Sequence, residues 1–259
     1  MLLIKEIENL SKEQLIRVIQ EERKLNLSYK DYKFFETSLN RRPDQVLVNL
    51  FNVNLQTKDF ACLRAGKWLN DEVINLFIGL LELGDEALVN SKKLPQRSHF
   101  FKTQFYSTYD NEGGYDNVER WTRKVDIFKM DKVFVPVNIN NTHWILIVVY
   151  MKTGNIRAYD SFGGPMHEYA QKMKEYLCME EQKKKETTRD WHITITTKET
   201  PKQVNGCDCG VFMCMFAYYI SRNMPVRMVE PEGMDTDRAF IGLQILNSVN
   251  ILGLQSQAP

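Results

Sequence analysis

A cysteine-containing turn near residue 209 is the part of the sequence that most clearly suggests chemistry. The segment Gln203-Val-Asn-Gly-Cys-Asp-Cys-Gly210 is polar, and it runs directly into an apolar stretch that begins at Cys209. If that stretch is a helix, the unpaired N–H groups and the dipole of its first turn stabilise a thiolate at Cys209. A thiolate is a strong nucleophile, so the pattern favours thiol chemistry, with a buried structural cysteine as the alternative.

A thiol nucleophile needs a base, and His143 is the histidine placed to serve as one. It follows a polar loop and precedes the apolar run 144–150, which predicts a buried strand with the imidazole at its start. A turn at Gly154 leads into a second strand that ends at Asp160. In an antiparallel hairpin these two ends share one edge, so His143 and Asp160 are predicted to face each other as base and orienting carboxylate.

The other cysteines and histidines have no comparable arrangement. Cys207 and Cys209 form a Cys-x-Cys pair, but no second cysteine pair or nearby histidine completes a zinc site, so no metal is predicted. The five cysteines are odd in number and are not spaced as a disulfide framework. We interpret Cys62, Cys178 and Cys214 as ordinary core or surface thiols.

The elements that must position these residues predict an α+β fold. Asn70 is placed to cap a helix, with Asp71 and Glu72 in its positive first turn. The stretch 209–220 is apolar nearly all round, as expected for a central buried helix with Cys209 at its N-terminus. Shorter helices are predicted from Ser11, from a cap at Thr57 and over 169–177, and a loop over 109–117. Strands are predicted at residues 133–137, 144–150, 156–160 and 191–196.

Composition and charge limit the classes of function. No repeat or low-complexity linker divides the chain, so residues 1–259 are predicted to form a single domain, with 1–44 as an extension without a recognisable motif. A net charge of +1 argues against nucleic-acid binding. The longest apolar run is far shorter than the ~20 residues of a membrane span, and no signal peptide is apparent. We therefore expect an intracellular protein with reduced thiols; Lys183–Lys185 is read as a solvated loop or a weak nuclear-import patch.

Four motifs occur in an order that resembles a known family. They are Trp68-Leu-Asn-Asp-Glu-Val-Ile-Asn75, His143-Trp144, Tyr159-Asp160-Ser161 and Gln203-x-Asn-Gly-x-Asp-Cys-Gly210. Over about residues 45 to 222 the chain resembles the catalytic domain of the ubiquitin-like-protein-specific cysteine proteases, the SUMO (sentrin) protease family. The resemblance implies a papain-like architecture with a central mixed β-sheet. Each motif alone is weak, but the four in this order and spacing are specific.

The resemblance assigns a role to each matching position. It makes Cys209 the nucleophile, His143 the base and Asp160 the group that orients the base. Gln203 matches the glutamine that helps form the oxyanion hole, together with the backbone N–H at Cys209. Cys207 fills a position that varies in the family.

The resemblance also implies substrate-binding residues. Trp68 and Trp144 match two tryptophans that line a narrow tunnel for the Gly-Gly tail of the substrate, with ordinary aromatic core packing as the alternative. Asp71 matches an acidic position that meets a basic residue of the modifier, and its alternative is a carboxylate that only favours the start of a helix.

The implied function is that of a thiol protease that hydrolyses the bond after the C-terminal Gly-Gly of a SUMO-like modifier, without a metal or organic cofactor. It would mature a precursor or release the modifier from lysine-linked conjugates, as a monomer in the nucleus or cytoplasm. Three alternatives stay open: a protease for the Nedd ubiquitin-like modifier, an acetyltransferase with a related Cys/His arrangement, and a modifier-binding module without turnover.

Overall fold

A mixed β-sheet lies at the centre of the molecule. The computed structural model describes residues 27–164, 166–187, 189–195, 198 and 200–251, so the helix predicted from Ser11 lies outside the described residues. The strands are β1 (Val46–Leu50), β2 (Val53–Gln56), β3 (His99–Phe100), β4 (Lys132–Ile139), β5 (His143–Tyr150), β6 (Asn155–Tyr159) and β7 (His192–Ile195). In the described part, β1 and β2 pair as an antiparallel ribbon, and β3-β4-β5-β6-β7 form one sheet in that order. The inner pairs are antiparallel and the outer pairs are parallel.

Helices cover both faces of this sheet. The α-helices are α1 (Tyr29–Leu39), α2 (Thr57–Phe60), α3 (Asp71–Asn90), α4 (Gln104–Asp110), α5 (Tyr115–Val118), α6 (His167–Lys185), α7 (Cys209–Ser221) and α8 (Met234–Ile251). Short 3-10 turns lie at Ala61–Leu63, Glu119–Thr122, Ile127–Lys129, Val226–Met228 and Pro231–Gly233. The α+β, papain-like architecture expected from the sequence is confirmed.

Alternate residues of β5 face two separate cores. Leu146 and Val148 contribute to a core shared with α3, α7 and α8, while Ile145 and Ile147 contribute to a second core shared with α4 and α6. Because β5 is covered on both faces, its sequence is a continuous apolar run instead of an alternating one. The elements that carry the site therefore pack on a sheet whose central strand is buried on both faces.

The hairpin of β5 and β6 carries two of the candidate residues to one edge. The strands pair antiparallel, with Leu146 opposite Tyr159, so the start of β5 and the end of β6 lie side by side. His143 is the first residue of β5, and Asp160 directly follows β6. The sequence prediction of this hairpin is confirmed.

Helix α7 is the most completely buried helix of the described part. Each of its 13 residues is buried, and it packs against β5, α3 and α8. Gly210, in its first turn, permits this close packing, because a Cβ there would lie 2.9 Å from Leu69 Cβ and 3.3 Å from Trp144 Cδ1. The helix start is thus pressed directly against the segment that precedes α3.

Two sequence predictions about the polar segments were wrong. The stretch 109–117 is a loop only at residues 111–114, whereas 109–110 end α4 and 115–117 belong to α5, because Tyr109 and Tyr115 are buried in the second core. Thr57 does not cap α2: it is the first helical residue, and Gln56 forms a capping box with Asp59.

The lysines at the end of α6 are not in a solvated loop. The helix runs to Lys185, past the predicted 169–177, and its last turns form one ion pair within the helix and two with neighbouring segments. Lys183 lies 3.2 Å from Glu119, Lys184 lies 2.7 Å from Glu180, and Lys185 lies 2.6 Å from Asp126. Among the described helices none has the length and apolar character needed to cross a bilayer.

Candidate active site

The Cys209 side chain opens the helix α7 and is 2% exposed. It lines a cleft of about 310 Å³ between the N-terminal ends of α3 and α7 and the loop that joins β4 to β5. The other residues of the cleft are Trp68, Leu69, Asn70, Asp71, Thr103, Gln104, Ser107, Asn138, Asn141, Thr142 and Trp144. A cysteine at the start of a helix, at the floor of a cleft, is placed where a thiolate is stabilised and a substrate can reach it.

His143 and Asp160 form a short hydrogen bond at the edge of the sheet. His143 Nε2 lies 2.6 Å from Asp160 Oδ1, and the two side chains are 12% and 4% exposed. Asp160 Oδ1 also accepts from the Phe162 N–H at 2.9 Å, and Oδ2 accepts from the Gly164 N–H at 2.6 Å. Burial acts to raise the pKa of Asp160, but these hydrogen bonds hold that pKa below its ordinary value. The carboxylate is therefore ionised and fixed in orientation.

The pKa of His143 is shifted in the direction that favours an imidazolium. Burial acts to lower it, but the hydrogen bond to Asp160 and the neighbouring Cys209 thiol together raise the pKa to about 9. The other ring nitrogen, Nδ1, is buried and has no hydrogen-bond partner in the part of the chain that the structure describes. Since Nε2 is held by Asp160, Nδ1 is the nitrogen left to exchange a proton with Cys209.

The pKa values of the other four cysteines are raised. Burial raises the pKa of Cys62 to about 11, and it also raises the pKa values of Cys178 and Cys214. Burial and the neighbouring Asp208 carboxylate raise the pKa of Cys207, whose thiol lies 3.2 Å from Asn205 Oδ1. At neutral pH these groups are held as thiols.

The two tryptophans differ in solvent exposure. Trp68 is 51% exposed and its Nε1 donates to the Gly206 carbonyl at 2.7 Å, whereas Trp144 is 7% exposed and its Nε1 donates to the Leu69 carbonyl at 3.1 Å. Both indoles line the same cleft as Cys209. A half-exposed indole does not fill a core, so the alternative of core packing fits Trp144 better than Trp68.

The location of Asp71 is compatible with both roles considered for it, a carboxylate at a helix start and a contact for the modifier. It is the first residue of α3, where a carboxylate is favoured by the helix dipole. It also lines the cleft, and its Oδ2 accepts a hydrogen bond from Gln104 Nε2 at 2.9 Å.

Gln203 is held by the segments on either side of the site. Its Oε1 accepts from the Ser161 hydroxyl at 2.5 Å, and its Nε2 donates to the Asn205 carbonyl at 2.6 Å. Its backbone N–H donates to the Ser161 carbonyl at 3.0 Å, which ties the turn before Cys209 to the loop after Asp160. The amide nitrogen carries two N–H groups, so one can stay on the Asn205 carbonyl while the other donates to an oxyanion.

Phe162 was not identified from the sequence, although it lies against the His143 ring. The two ring centroids are 4.7 Å apart with an angle of 33° between the planes, and Phe162 is 55% exposed. Its only sequence signal is its position two residues after Asp160. Ser161, by contrast, belongs to the Tyr159-Asp160-Ser161 motif, so its contact with Gln203 could have been sought.

The fold is that of the papain-like cysteine peptidases. Residues 67–247 match the family described as the Ulp1 protease family, C-terminal catalytic domain, and the chain belongs to that family.

Curated relatives and a solved structure are similar to this chain in a way that is consistent with this family. Sentrin-specific protease 2 of Mus musculus is 35% identical over 193 residues, which is 73% of this chain and 32% of that protein. Ubiquitin-like-specific protease 1 of Saccharomyces cerevisiae is 32% identical over 206 residues, which is 77% of this chain and 31% of that protein. The chain thus spans about a third of the length of these curated relatives. The crystal structure of the C-terminal Ulp1 protease domain in complex with Smt3, the yeast ortholog of SUMO, superposes with a TM-score of 0.74 at 30% identity, covering 86% of this chain and 96% of that one.

Proposed function

We propose that this chain is a thiol protease that hydrolyses the bond after the C-terminal Gly-Gly of a SUMO-like modifier. The observation that carries the proposal is the 2.6 Å contact between His143 Nε2 and Asp160 Oδ1, beside Cys209 at the floor of a cleft. Membership of the Ulp1 protease family supports it. So does the similarity to a protease domain whose structure contains Smt3, the yeast ortholog of SUMO.

The first chemical step forms an acyl-enzyme. His143 Nδ1 takes the proton of the Cys209 thiol, and the raised pKa of the imidazole, about 9, favours its protonated form at neutral pH. The thiolate attacks the carbonyl carbon of the final glycine of the modifier. The backbone N–H at Cys209 and the second N–H of the Gln203 amide stabilise the oxyanion. The carbon–nitrogen bond then breaks as His143 donates its proton to the leaving lysine amine or peptide nitrogen.

The second step is hydrolysis of the thioester. His143, now neutral, accepts a proton from water, and the hydroxide attacks the same carbonyl carbon. The carbon–sulfur bond breaks, the Cys209 thiolate leaves, and the modifier is released with a free carboxylate. The chemistry is the same for a precursor and for a lysine-linked conjugate, and it uses no metal or organic cofactor.

Substrate selection belongs to the cleft walls in this proposal. The Trp68 and Trp144 indoles leave space for a tail without side chains, which glycine alone provides. Asp71 lies at the rim and meets a basic residue of the modifier. The enzyme acts as a monomer in the nucleus or cytoplasm, and its partners are the modifier and its conjugates, not nucleic acid.

Hydrolysis of a panel of modifiers tests the function. Fluorophore conjugates of a SUMO-like modifier, the Nedd modifier and ubiquitin are incubated with the wild-type chain and with Cys209→Ala. We expect rapid release from the SUMO-like conjugate and none with Cys209→Ala. Faster release from the Nedd conjugate would assign the Nedd modifier instead. Tight binding of a modifier by the wild type without hydrolysis of any conjugate would make the chain a binding module, and acetyl transfer from acetyl-coenzyme A would make it an acetyltransferase.

A further inference from the structure

Arg238, at the start of the second turn of helix α8, is almost completely buried. It is 1% exposed and is among the largest fully buried side chains of the described residues. A guanidinium stays charged inside a protein, so its donors must all meet acceptors. These acceptors lie in two loops that border the cleft.

One set of acceptors belongs to the segment that leads to Trp68. Arg238 Nη1 donates to the carbonyls of Cys62 and Arg64, both at 3.1 Å. Arg238 Nη2 donates to the Lys67 carbonyl at 2.7 Å. The residue that follows Lys67 is Trp68, so these hydrogen bonds fix the backbone that carries the Trp68 side chain of the cleft wall.

The other set belongs to the turn that leads to Cys209. Arg238 Nη2 and Nε donate to Asp208 Oδ1 at 2.6 and 3.2 Å, and Nη2 also reaches the Cys207 carbonyl at 3.3 Å. Asp208 is itself 5% exposed and is the residue immediately before helix α7. The buried ion pair is therefore attached directly to the start of the helix that carries the thiol.

From Asp208 the hydrogen bonds continue into the turn. Asp208 Oδ2 accepts from Asn205 Nδ2 at 2.6 Å, and Asn205 Oδ1 accepts from the backbone N–H groups of Cys207 and Asp208 at 3.0 and 3.1 Å. The Asn205 carbonyl accepts from Gln203 Nε2 at 2.6 Å. A continuous chain of bonds thus joins Arg238 to the glutamine proposed as an oxyanion donor.

We infer that Arg238 is a positioning residue for the proposed reaction. Through Asp208 and Asn205 it sets where the oxyanion donors at Gln203 and Cys209 lie, and through the 62–67 carbonyls it sets the distance of the Trp68 wall from the nucleophile. The Trp68 Nε1 bond to the Gly206 carbonyl, at 2.7 Å, closes the connection between the two loops. Arg238 touches neither the substrate nor the reacting atoms. The inference rests on the proposed function, because it concerns the turnover of that same site.

The test distinguishes a positioning role from a purely stabilising one. A single substitution in a buried ion pair leaves the other charge unpaired and destabilises the fold, whereas a double substitution removes both charges. The main variant is therefore the double substitution Arg238→Met with Asp208→Asn, in which the new amide still offers an oxygen to Asn205 Nδ2. The control is Arg222→Met, at the opposite end of α7, where the guanidinium donates to the Tyr218 carbonyl at 3.2 Å.

In the double variant we expect kcat on the modifier–fluorophore substrate to fall about 10²-fold, because a shift of ~1 Å in a reacting group has that effect. KM and the rate of Cys209 alkylation by iodoacetamide should stay within about twofold of wild type, since His143 and Asp160 are untouched. The melting temperature should fall, because methionine leaves the carbonyls of Cys62, Arg64 and Lys67 without the guanidinium donors, so kcat is measured well below the unfolding transition of both proteins. Arg222→Met should keep the wild-type kcat.

A second variant keeps the inference testable if the double variant does not fold. Asn205 is exposed, so Asn205→Ala breaks the chain between Asp208 and Gln203 without touching the core. It should lower kcat at least tenfold with unchanged KM and melting temperature. Wild-type kcat in either folded variant would overturn the inference. Failure of the wild-type chain to hydrolyse any modifier would instead overturn the proposed function.

Discussion

The His143 imidazole is the residue at which the electrostatics of the site converge. Burial disfavours its charge, yet Asp160 and Cys209 raise its pKa to about 9. The direction matters for pH, because a raised pKa means that the folded state binds the proton more tightly than the unfolded chain does. The contribution of His143 to folding stability is thus fully present below its ordinary value of 6.5 and is lost as the pH rises through about 9.

The first prediction concerns the Asp160 carboxylate. Asp160→Asn removes the carboxylate charge that lies beside His143 Nε2, so the pKa of His143 should fall and the imidazole should lose its proton at a lower pH. The direct measurement is an NMR titration of the His143 ring protons in both proteins, assigned with His143→Gln. Turnover should also fall by about 10⁴, by analogy with the same change in a serine protease triad. An unchanged His143 titration in the variant would show that Asp160 is not the charge responsible.

At the scale of single elements, the packing of the start of α7 against Leu69 and Trp144 is the contact that matters most for the site. Gly210 allows this helix to approach Leu69 and Trp144, as its missing Cβ would lie 2.9 Å from Leu69 Cβ. Gly84, inside α3, is a matched glycine, because a Cβ there would meet only Arg222 Nη2 at 3.5 Å, an ordinary contact.

These two glycines give the second prediction. Gly210→Ala should displace the first turn of α7, lower the free energy of unfolding by about 1–3 kcal/mol and lower kcat about 10²-fold. Gly84→Ala should keep kcat and stabilise the protein by roughly 0.5–1 kcal/mol, as alanine is favoured inside helices. Denaturant unfolding and steady-state hydrolysis measure both effects. Equal behaviour of the two variants would rule out a special close approach at Gly210.

The elements that the sequence predicts well are those with strong local patterns. The apolar run of β5 and the wholly apolar α7 could be predicted because nearly every residue is buried. Helix α1 was not predicted, because Phe35, Ser38 and Leu39 are its only buried residues and the rest is polar or exposed aromatic, so no apolar period marks it. Helix α8 was missed as well, and with it Arg238, whose acceptors lie 30 to 176 residues away in sequence. No local pattern can report contacts of that range.

Across the whole molecule, the cleft draws its walls from distant parts of the chain. Trp68 precedes α3, Trp144 lies in β5, and Cys209 begins α7, so the cleft exists only when α3 and α7 are packed on β5. The sequence motifs contain these three residues. They could not predict that Trp68 is half exposed while Trp144 is nearly buried, because that difference arises from packing.

The third prediction concerns the tail of the substrate. If the two indoles admit only backbone, the wild type should cleave a modifier ending in Gly-Gly and refuse one ending in Ala-Gly. Trp144→Ala should lower kcat more than it weakens modifier binding, because most of the modifier surface binds elsewhere. Steady-state cleavage of both fluorophore conjugates by both proteins provides the comparison. Equal cleavage of the two tails by the wild type would contradict the tunnel.

The central claim is that Cys209 is the nucleophile for a SUMO-like modifier. The most direct measurement is intact-protein mass spectrometry after incubation with a SUMO-like modifier that carries a C-terminal electrophile. Cys207→Ala is the matched variant two residues away, at a thiol whose pKa is raised by burial and Asp208. We predict one covalent adduct with the wild type and with Cys207→Ala, and none with Cys209→Ala. An adduct that persists in Cys209→Ala and disappears in Cys207→Ala would contradict the account.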